Sequence, residues 1–215
     1  MAYRTAKSGE IITLSQHEDA MMHPVLSQAL HHWEALCEAQ TPPSRCAIDP
    51  RDLSGLLSNI FILERSRPGT VRMRLGGMHL ADLMGMEVRG LPMRAFFELS
   101  ERTRLMSDLE QVFSRPAKLM LHLASDMQGQ TPLEGQMLIL PLKGPTDDID
   151  RAFGVIATQG PLGLRPRRFR IKRSKISPLF ADIAANSPAR QNPKPPRLEG
   201  GRPHLTLING GLDQA

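Results

Sequence analysis

The sequence predicts an α+β domain whose sheet is antiparallel, and three observations carry that prediction. Two strand-like runs meet across a short Pro68-Gly69 turn, the connection of an antiparallel hairpin. Three further strand-like runs follow at 117–125, 133–142 and 151–159, separated by short loops. A helical stripe at 101–114 divides the two groups, so the order is helix, two strands, short helices, one long helix, three strands.

Bulk properties bound the class. The 215 residues are 40% hydrophobic, enough for a packed core and too much for wholesale disorder. Aromatics make up 4% while methionine occurs 12 times, so the interior is soft; gap-filling in an ordinary core is the plain reading, and an adaptable pocket is the sharper one. No apolar run approaches the roughly 18 residues of a membrane span, and the first residues, MAYRTAKSGEIITLSQ, lack the apolar region of a secretory signal. Cys37 and Cys46 form neither a CxxC pair nor a disulfide framework and are expected as reduced thiols of a cytoplasmic protein, with a bridge between them left open. Charge is uneven: residues 161–215 hold 11 Lys+Arg against 3 Asp+Glu, and the rest of the chain holds 16 against 19. The basic character belongs to the C-terminal part, which suggests an electrostatic arm.

Each element has a local cause. Pro24 suits the first turn of a helix, and Leu26, Leu30, Trp33 and Cys37 recur behind it at helical spacing as far as about Ala39. That stripe needs a cover, either the domain body or a partner's helix. Asp49 is placed to cap a helix over Pro50–Leu57. Asn59–Arg65 reads as a strand from its β-branched and aromatic content; its run Ile60, Phe61, Ile62, Leu63 fits burial on both faces and hence dimerisation. In the second strand, 70–75, Val71, Met73 and Leu75 alternate with Arg72 and Arg74. Gly76 and Gly77 are expected to let the backbone leave that strand through conformations closed to other residues. A short helix carries Leu80, Leu83 and Met84 on one face, and Gly85 is placed to end it in the left-handed region. Ser100 is placed to cap the 101–114 helix, striped by Leu105, Met106, Leu109, Val112 and Phe113. Eight prolines after Gly160 interrupt long helices, residues 186–203 read as an extended linker, and LTLINGG at 205–211 suggests a little local structure.

The familiar chemical signatures are missing. No P-loop, GxSxG, HExxH or paired CxxC occurs, so no catalytic or metal-binding residue is assigned. His31 and His32 flank the apolar stripe of the first helix and read as solvated. His79 and His122 are each better read as hydrogen-bonded or surface histidines than as ligands to a haem iron, because no haem motif accompanies them. Arg72 and Arg74 read as a solvated strand face, with bidentate anion binding as the alternative. The run RPRRFRIKRSK at 165–175 has seven basic residues and no acidic one, and its alternation around Phe169 and Ile171 also suits a strand-like extension of the sheet. Arg165, Arg167, Arg168, Arg170, Lys172 and Arg173 are its anion-binding candidates.

The element order resembles the PAS fold. More specifically, several motifs resemble those of a family of bacterial PAS-like proteins: the Trp33-bearing leading helix, IDP at 48–50, FILE at 61–64, RLGGMHLADLMGMEVRG at 74–90 and the PL of ILPL at 139–142. The likeness covers roughly residues 25–160. It implies a five-stranded antiparallel sheet with helices on one face, and a small molecule held between them or dimerisation through the outer face. It names no ligand or cofactor, and the NCRFLQ-type cysteine motif of flavin-binding light sensors is missing. Strand alternation and helix stripes then give the pocket candidates Met73, Leu75, His79, Leu80, Leu83, Met84, Phe96, Leu121, Met137 and Ile139.

The expected organisation is a flexible N-terminus at 1–23, a PAS-like domain at 24–160 and a basic, Pro-rich tail at 161–215. The expected function is a non-catalytic regulatory sensor or protein-interaction module of a bacterial signalling pathway, acting through a signalling partner, a small-molecule ligand or a homodimer. The alternative is docking of the basic segment on nucleic acid or another acidic surface.

Overall fold

Three α-helices, six strands and short 3-10 turns build the domain in the computed structural model, which describes residues 22–38, 41–126, 129 and 131–179. Helix α1 spans Pro24–Ala35, α2 Met78–Met84 and α3 Arg102–Ser114. The strands are β1 Ile60–Arg67, β2 Thr70–Gly76, β3 Ala117–Ser125, β4 Leu133–Leu142, β5 Arg151–Gln159 and β6 Arg170–Pro178. They form one sheet in the order β2-β1-β5-β4-β3-β6, with every neighbouring pair antiparallel. The expectations for 1–21, the 186–203 linker and LTLINGG lie outside the described residues.

The sheet has six strands where five were expected. Residues 170–178, assigned to the tail, pair along β3 from Ala117↔Pro178 to Ala124↔Arg170, so the sheet extends past the boundary expected at 160. The strand-like alternation around Ile171 was the legible sign; the density of charge argued against it. A bulge between His122 and Leu123 also shifts the register of β6, which lets Ile171 and Ile176 both pack on the same core although they differ in parity.

Both faces of the sheet are covered, where the resemblance implied helices on one. Alternate residues of β1 divide between two cores: Phe61 and Leu63 join the α2–α3 side, while Ile60 and Ile62 join the α1 side. β4 and β5 divide the same way, with Met137, Ile139 and Ile156 on the first and Leu138, Leu140, Phe153 and Val155 on the second. The α1 stripe of Leu26, Ala29, Leu30 and Trp33 covers this second face, and Trp33 Nε1 donates to the Pro141 carbonyl at 3.1 Å. The cover that α1 needed is therefore the domain itself, and the two-sided burial of β1 is met within one chain. His23 fastens the start of the helix: its backbone N–H donates to Gln136 Oε1 at 2.7 Å, and its Nδ1 accepts from Val25 N–H.

Four local expectations change. Residues 50–57 form turns and a single 3-10 turn at Ser54–Leu56 in place of an α-helix. Leu53 and Leu56, three apart, are the pair that reaches the core there, a spacing that 3-10 geometry aligns. α1 stops at Ala35, four residues short, and α3 begins after a 3-10 turn, with Glu101 and not Ser100 at its N-cap. Gly77 has an ordinary extended backbone (φ −70°, ψ 169°), so conformational freedom is not what it supplies. A Cβ there would overlap the carbonyls of Leu57 and Ser58, against which the chain runs so closely that Gly77 N–H donates to Ile60 O at 2.8 Å and His79 N–H to Ser58 O at 2.9 Å. Gly85, by contrast, does end α2 in the left-handed region (φ +70°) as its position predicted.

Two substitutions and one control test this architecture. Trp33→Ala removes a buried ring and strands the Pro141 carbonyl, and a loss of about 3–5 kcal/mol is expected in urea unfolding. Gly77→Ala forces the α2 entry away from β1 and is expected to cost about 1–3 kcal/mol or prevent folding. Gly55→Ala, where a Cβ meets nothing within 4 Å, should change stability by less than about 0.5 kcal/mol.

Candidate functional site

The candidate site is the core between the sheet and the α2–α3 side. It is assembled around a close approach at its centre: Gly154 on β5 lies opposite Phe61 on β1, and the Phe61 ring occupies the space a Cβ on Gly154 would fill. α2 brings Leu80, Leu83 and Met84 onto this surface. The 3-10 turn at Met93–Phe96 adds two more side chains, and α3 adds Leu105, Leu109, Val112 and Phe113.

Eight of the ten pocket candidates meet here: Met73, Leu80, Leu83, Met84, Phe96, Leu121, Met137 and Ile139 are all buried in one cluster. Leu75 does not. β2 carries one extra residue between the pairs Leu63↔Met73 and Ile62↔Leu75, so the bulge at Arg74 turns Leu75 to the opposite face, where it is 47% exposed. Alternation read across a bulge gives the wrong face. His79 stands at the rim, with Nε2 3.0 Å from Thr158 Oγ1 on β5.

The cluster is rich in flexible side chains: Met73, Met84, Met93 and Met137 all belong to it. Val88, Met93, Phe97 and Phe169 were not among the candidates, since the first three lie in segments without clear periodicity and Phe169 lies in the run assigned to the tail, yet all four are buried here. Arg65 was missed too. From β1 its Nη1 reaches Glu110 Oε1 on α3 at 2.6 Å and its guanidinium lies 5.0 Å from the Phe113 ring centre, so it fixes α3 over the sheet. Neither thiol belongs to this cluster; Cys37 packs on the α1 side and Cys46 is exposed. Burial, helped by Glu34, raises the Cys37 thiol above its ordinary value.

The basic segment is not a free arm. Arg167 is fully buried, with Nη2 donating to the carbonyls of Ser125 at 2.8 Å and Thr131 at 3.2 Å, so it cannot serve as a surface anion contact. Arg165 lies 3.7 Å from Asp82, Arg170 pairs with Asp126 and Glu98, and Lys172 meets Glu134 at 2.6 Å. Arg168 and Arg173 are exposed. His122 faces Arg173 across the β3–β6 ladder; burial first and Arg173 second hold it below its ordinary value. Among the described residues no group of three or more His, Cys, Asp or Glu is placed to hold a metal ion, and no helix is long and apolar enough to cross a membrane.

Burial lowers the His79 imidazole from its ordinary 6.5, opposed by the charge of Asp82. The unfolded chain therefore binds this proton more readily than the folded one. The stability that neutral His79 contributes is present above pH 6.5 and is lost as pH falls below that value toward the folded-state pKa. The unfolding free energy of the native protein should therefore drop more steeply between pH 7.5 and 5.5 than that of His79→Gln; parallel curves would show that His79 is not linked to folding.

Comparison with known proteins adds the following. A family model described as "PAS domain" matches residues 21–157. Among solved structures, the chain is similar to the Rhodobacter sphaeroides LOV protein at 15% identity and a TM-score of 0.39, covering 54% of this chain and 71% of that one. It is also similar to the PAS domain of a protein from Colwellia psychrerythraea at 11% identity and a TM-score of 0.38, covering 52% and 98%. No curated protein matches the sequence.

Proposed function

The chain belongs to the PAS domain family, and from that premise we propose that it is a non-catalytic regulatory sensor or protein-interaction module of a cytoplasmic signalling pathway. The observation that carries the proposal is the methionine-rich core under α2, where Met73, Met84, Met93 and Met137 fill the space between sheet and helices. Unbranched thioether side chains repack at low cost, so a ligand or partner that prefers one packing shifts the population toward it. Only differential affinity for the two packings does this; tight binding to both changes nothing.

The output runs across the sheet. Met137 and Ile139 face the α2 side, while Leu138 and Leu140, their neighbours on β4, face α1. A shift of β4 is felt on both faces, and α1 is the element positioned to present it to a partner. The pocket on this reading is walled by the eight buried candidates, with His79 at its rim as the polar group.

A second reading assigns an acidic partner to the outer face of β3 and β6. It is supported by the ladder on which Ala124↔Arg170, His122↔Arg173, Met120↔Lys175 and Lys118↔Ser177 bring basic side chains together. On this reading heparin retention falls steeply with salt and drops in the triple Ala variant of Arg168, Arg173 and Lys175. Equal retention of variant and native protein rejects it.

Native mass spectrometry of protein purified from its own host, set against the denatured mass, tests the leading reading. A bound small molecule or a stoichiometric partner is expected; a bare monomer from every preparation counts against it. The coupling has its own test. Met137→Leu, a volume-conserving change under α2, is expected to alter amide exchange in α1 as well as in α2, and a change confined to the α2 side would remove the cross-sheet mechanism.

A further inference from the structure

A cleft of about 590 Å³ opens at the β2 edge on the face opposite the methionine-rich core, lined by residues including Arg45, Arg74, Leu75, Glu87, Arg89 and Arg151. Its volume lies within the range of small-molecule sites. Three features of the fold create it. The bulge at Arg74 turns Leu75 outward beside Ile62, giving an apolar floor that α1 does not cover. Val88 is fully buried in the opposite core, and it seats where a Cβ on Gly76 would otherwise stand. With Val88 pinned, its neighbours Glu87 and Arg89 join the cleft wall. The third wall is the segment after α1, held by Arg45 N–H donating to Lys143 O at 2.9 Å and Lys143 N–H donating to Pro43 O at 3.0 Å.

The charges are unequal in number and in engagement. Four arginines face one glutamate in the lining. Arg151 is neutralised, at 2.9 Å from Glu64 and 2.8 Å from Asp150. Arg74 stands 3.6 Å from the same Glu64, beyond good hydrogen-bond range. Arg45 donates only weakly, to Ile48 O at 3.4 Å, and Arg89 has no ion-pair partner among the described residues. Glu87 does not cancel these charges by a side-chain pair; its Oε1 accepts from the Arg89 backbone N–H at 3.1 Å. Two guanidinium groups from distant segments thus flank an exposed leucine with most of their donors unspent.

We propose that this cleft binds a small amphiphilic anion, its carboxylate or phosphate group taken by Arg45, Arg89 and Arg74 and its apolar body laid on Leu75. A bare inorganic anion leaves Leu75 wet, and a neutral apolar molecule leaves the guanidinium groups without a partner, so both parts of the ligand are required. The site is distinct from the core under α2 and does not depend on that core holding a ligand. Because Ser44–Cys46 forms one wall, an occupant touches the segment that follows α1.

Backbone-amide NMR titration of the full chain tests this, with octanoate, octyl phosphate, inorganic phosphate and 1-octanol as probes. Saturable shifts at Ser44–Cys46, Arg74–Gly76 and Glu87–Arg89 are expected with at least one of the two amphiphiles, whose comparison identifies the preferred head group. Inorganic phosphate and 1-octanol should each bind about tenfold more weakly or worse. Arg45→Ala with Arg89→Ala should weaken the amphiphile by about tenfold or more. Leu75→Ser should weaken the amphiphile but not inorganic phosphate; Leu75 and Arg89 are exposed and Arg45 is half-buried, and the native amide spectrum of each variant checks that its fold is kept. Absence of saturable binding by either amphiphile, shifts centred on Met73 and Leu80 instead, or unchanged affinity in the double variant overturns the proposal.

Discussion

Strands β1, β5 and β4 carry apolar side chains on both faces, and a sheet of that kind cannot leave either face to water. This constraint explains most of the architecture. One face takes α2, α3 and the short helical turns between β2 and β3. The other takes α1, whose stripe of Leu26, Leu30 and Trp33 would otherwise be as exposed as the sheet itself. The leading helix is thus part of the fold and not an appendage to it, and Trp33 spans the junction with both its ring and its N–H.

Close approach of backbone to core does the rest. Phe61 can lie at the middle of the sheet because Gly154 has no side chain there, and α2 can turn in against β1 because Gly77 has none. Gly76 gives the same room to Val88, which draws the 86–90 loop down over the β2 edge. Three glycines on two strands and a helix entry therefore set how tightly the small helices sit on the sheet. The polar ties are fewer and lie at the margins: Arg65 to Glu110 holds α3, and buried Arg167 ties the segment before β6 to the ends of β3 and α2.

These features bear on function in a common way. The core under α2 is filled with side chains that rearrange easily, while the strands beneath it are shared with α1 on the far side. On the function proposed above, a rearrangement on one face reaches the other through these shared, hydrogen-bonded strands. The arginine-lined cleft lies on the α1 side, at the edge where the β2 bulge breaks the sheet's alternation. The two surfaces use different chemistry, soft and apolar in one, cationic and half-wet in the other.

The chain's hydrophobic pattern by itself determined the α+β class, the three strands after α3 and the left-handed cap at Gly85, because each depends on periodicity or on one residue's allowed dihedral angles. It also brought eight pocket candidates together, since alternation within an unbroken strand fixes which side chains share a face. Leu75 escaped it, as did the shared face of Ile171 and Ile176: a bulge adds one residue to one strand only, and the pairing that reveals the extra residue belongs to two strands at once. Arg167 escaped it for a related reason, because seven basic residues in a run read as a wet arm until carbonyls from Ser125 and Thr131 are seen to surround one of them. The use of Gly77 for room and not for rotation, the docking of α1 on its own sheet and the cleft at the β2 edge were decided only by tertiary structure. Each arises from segments far apart in the chain competing for the same space, and no local pattern records that.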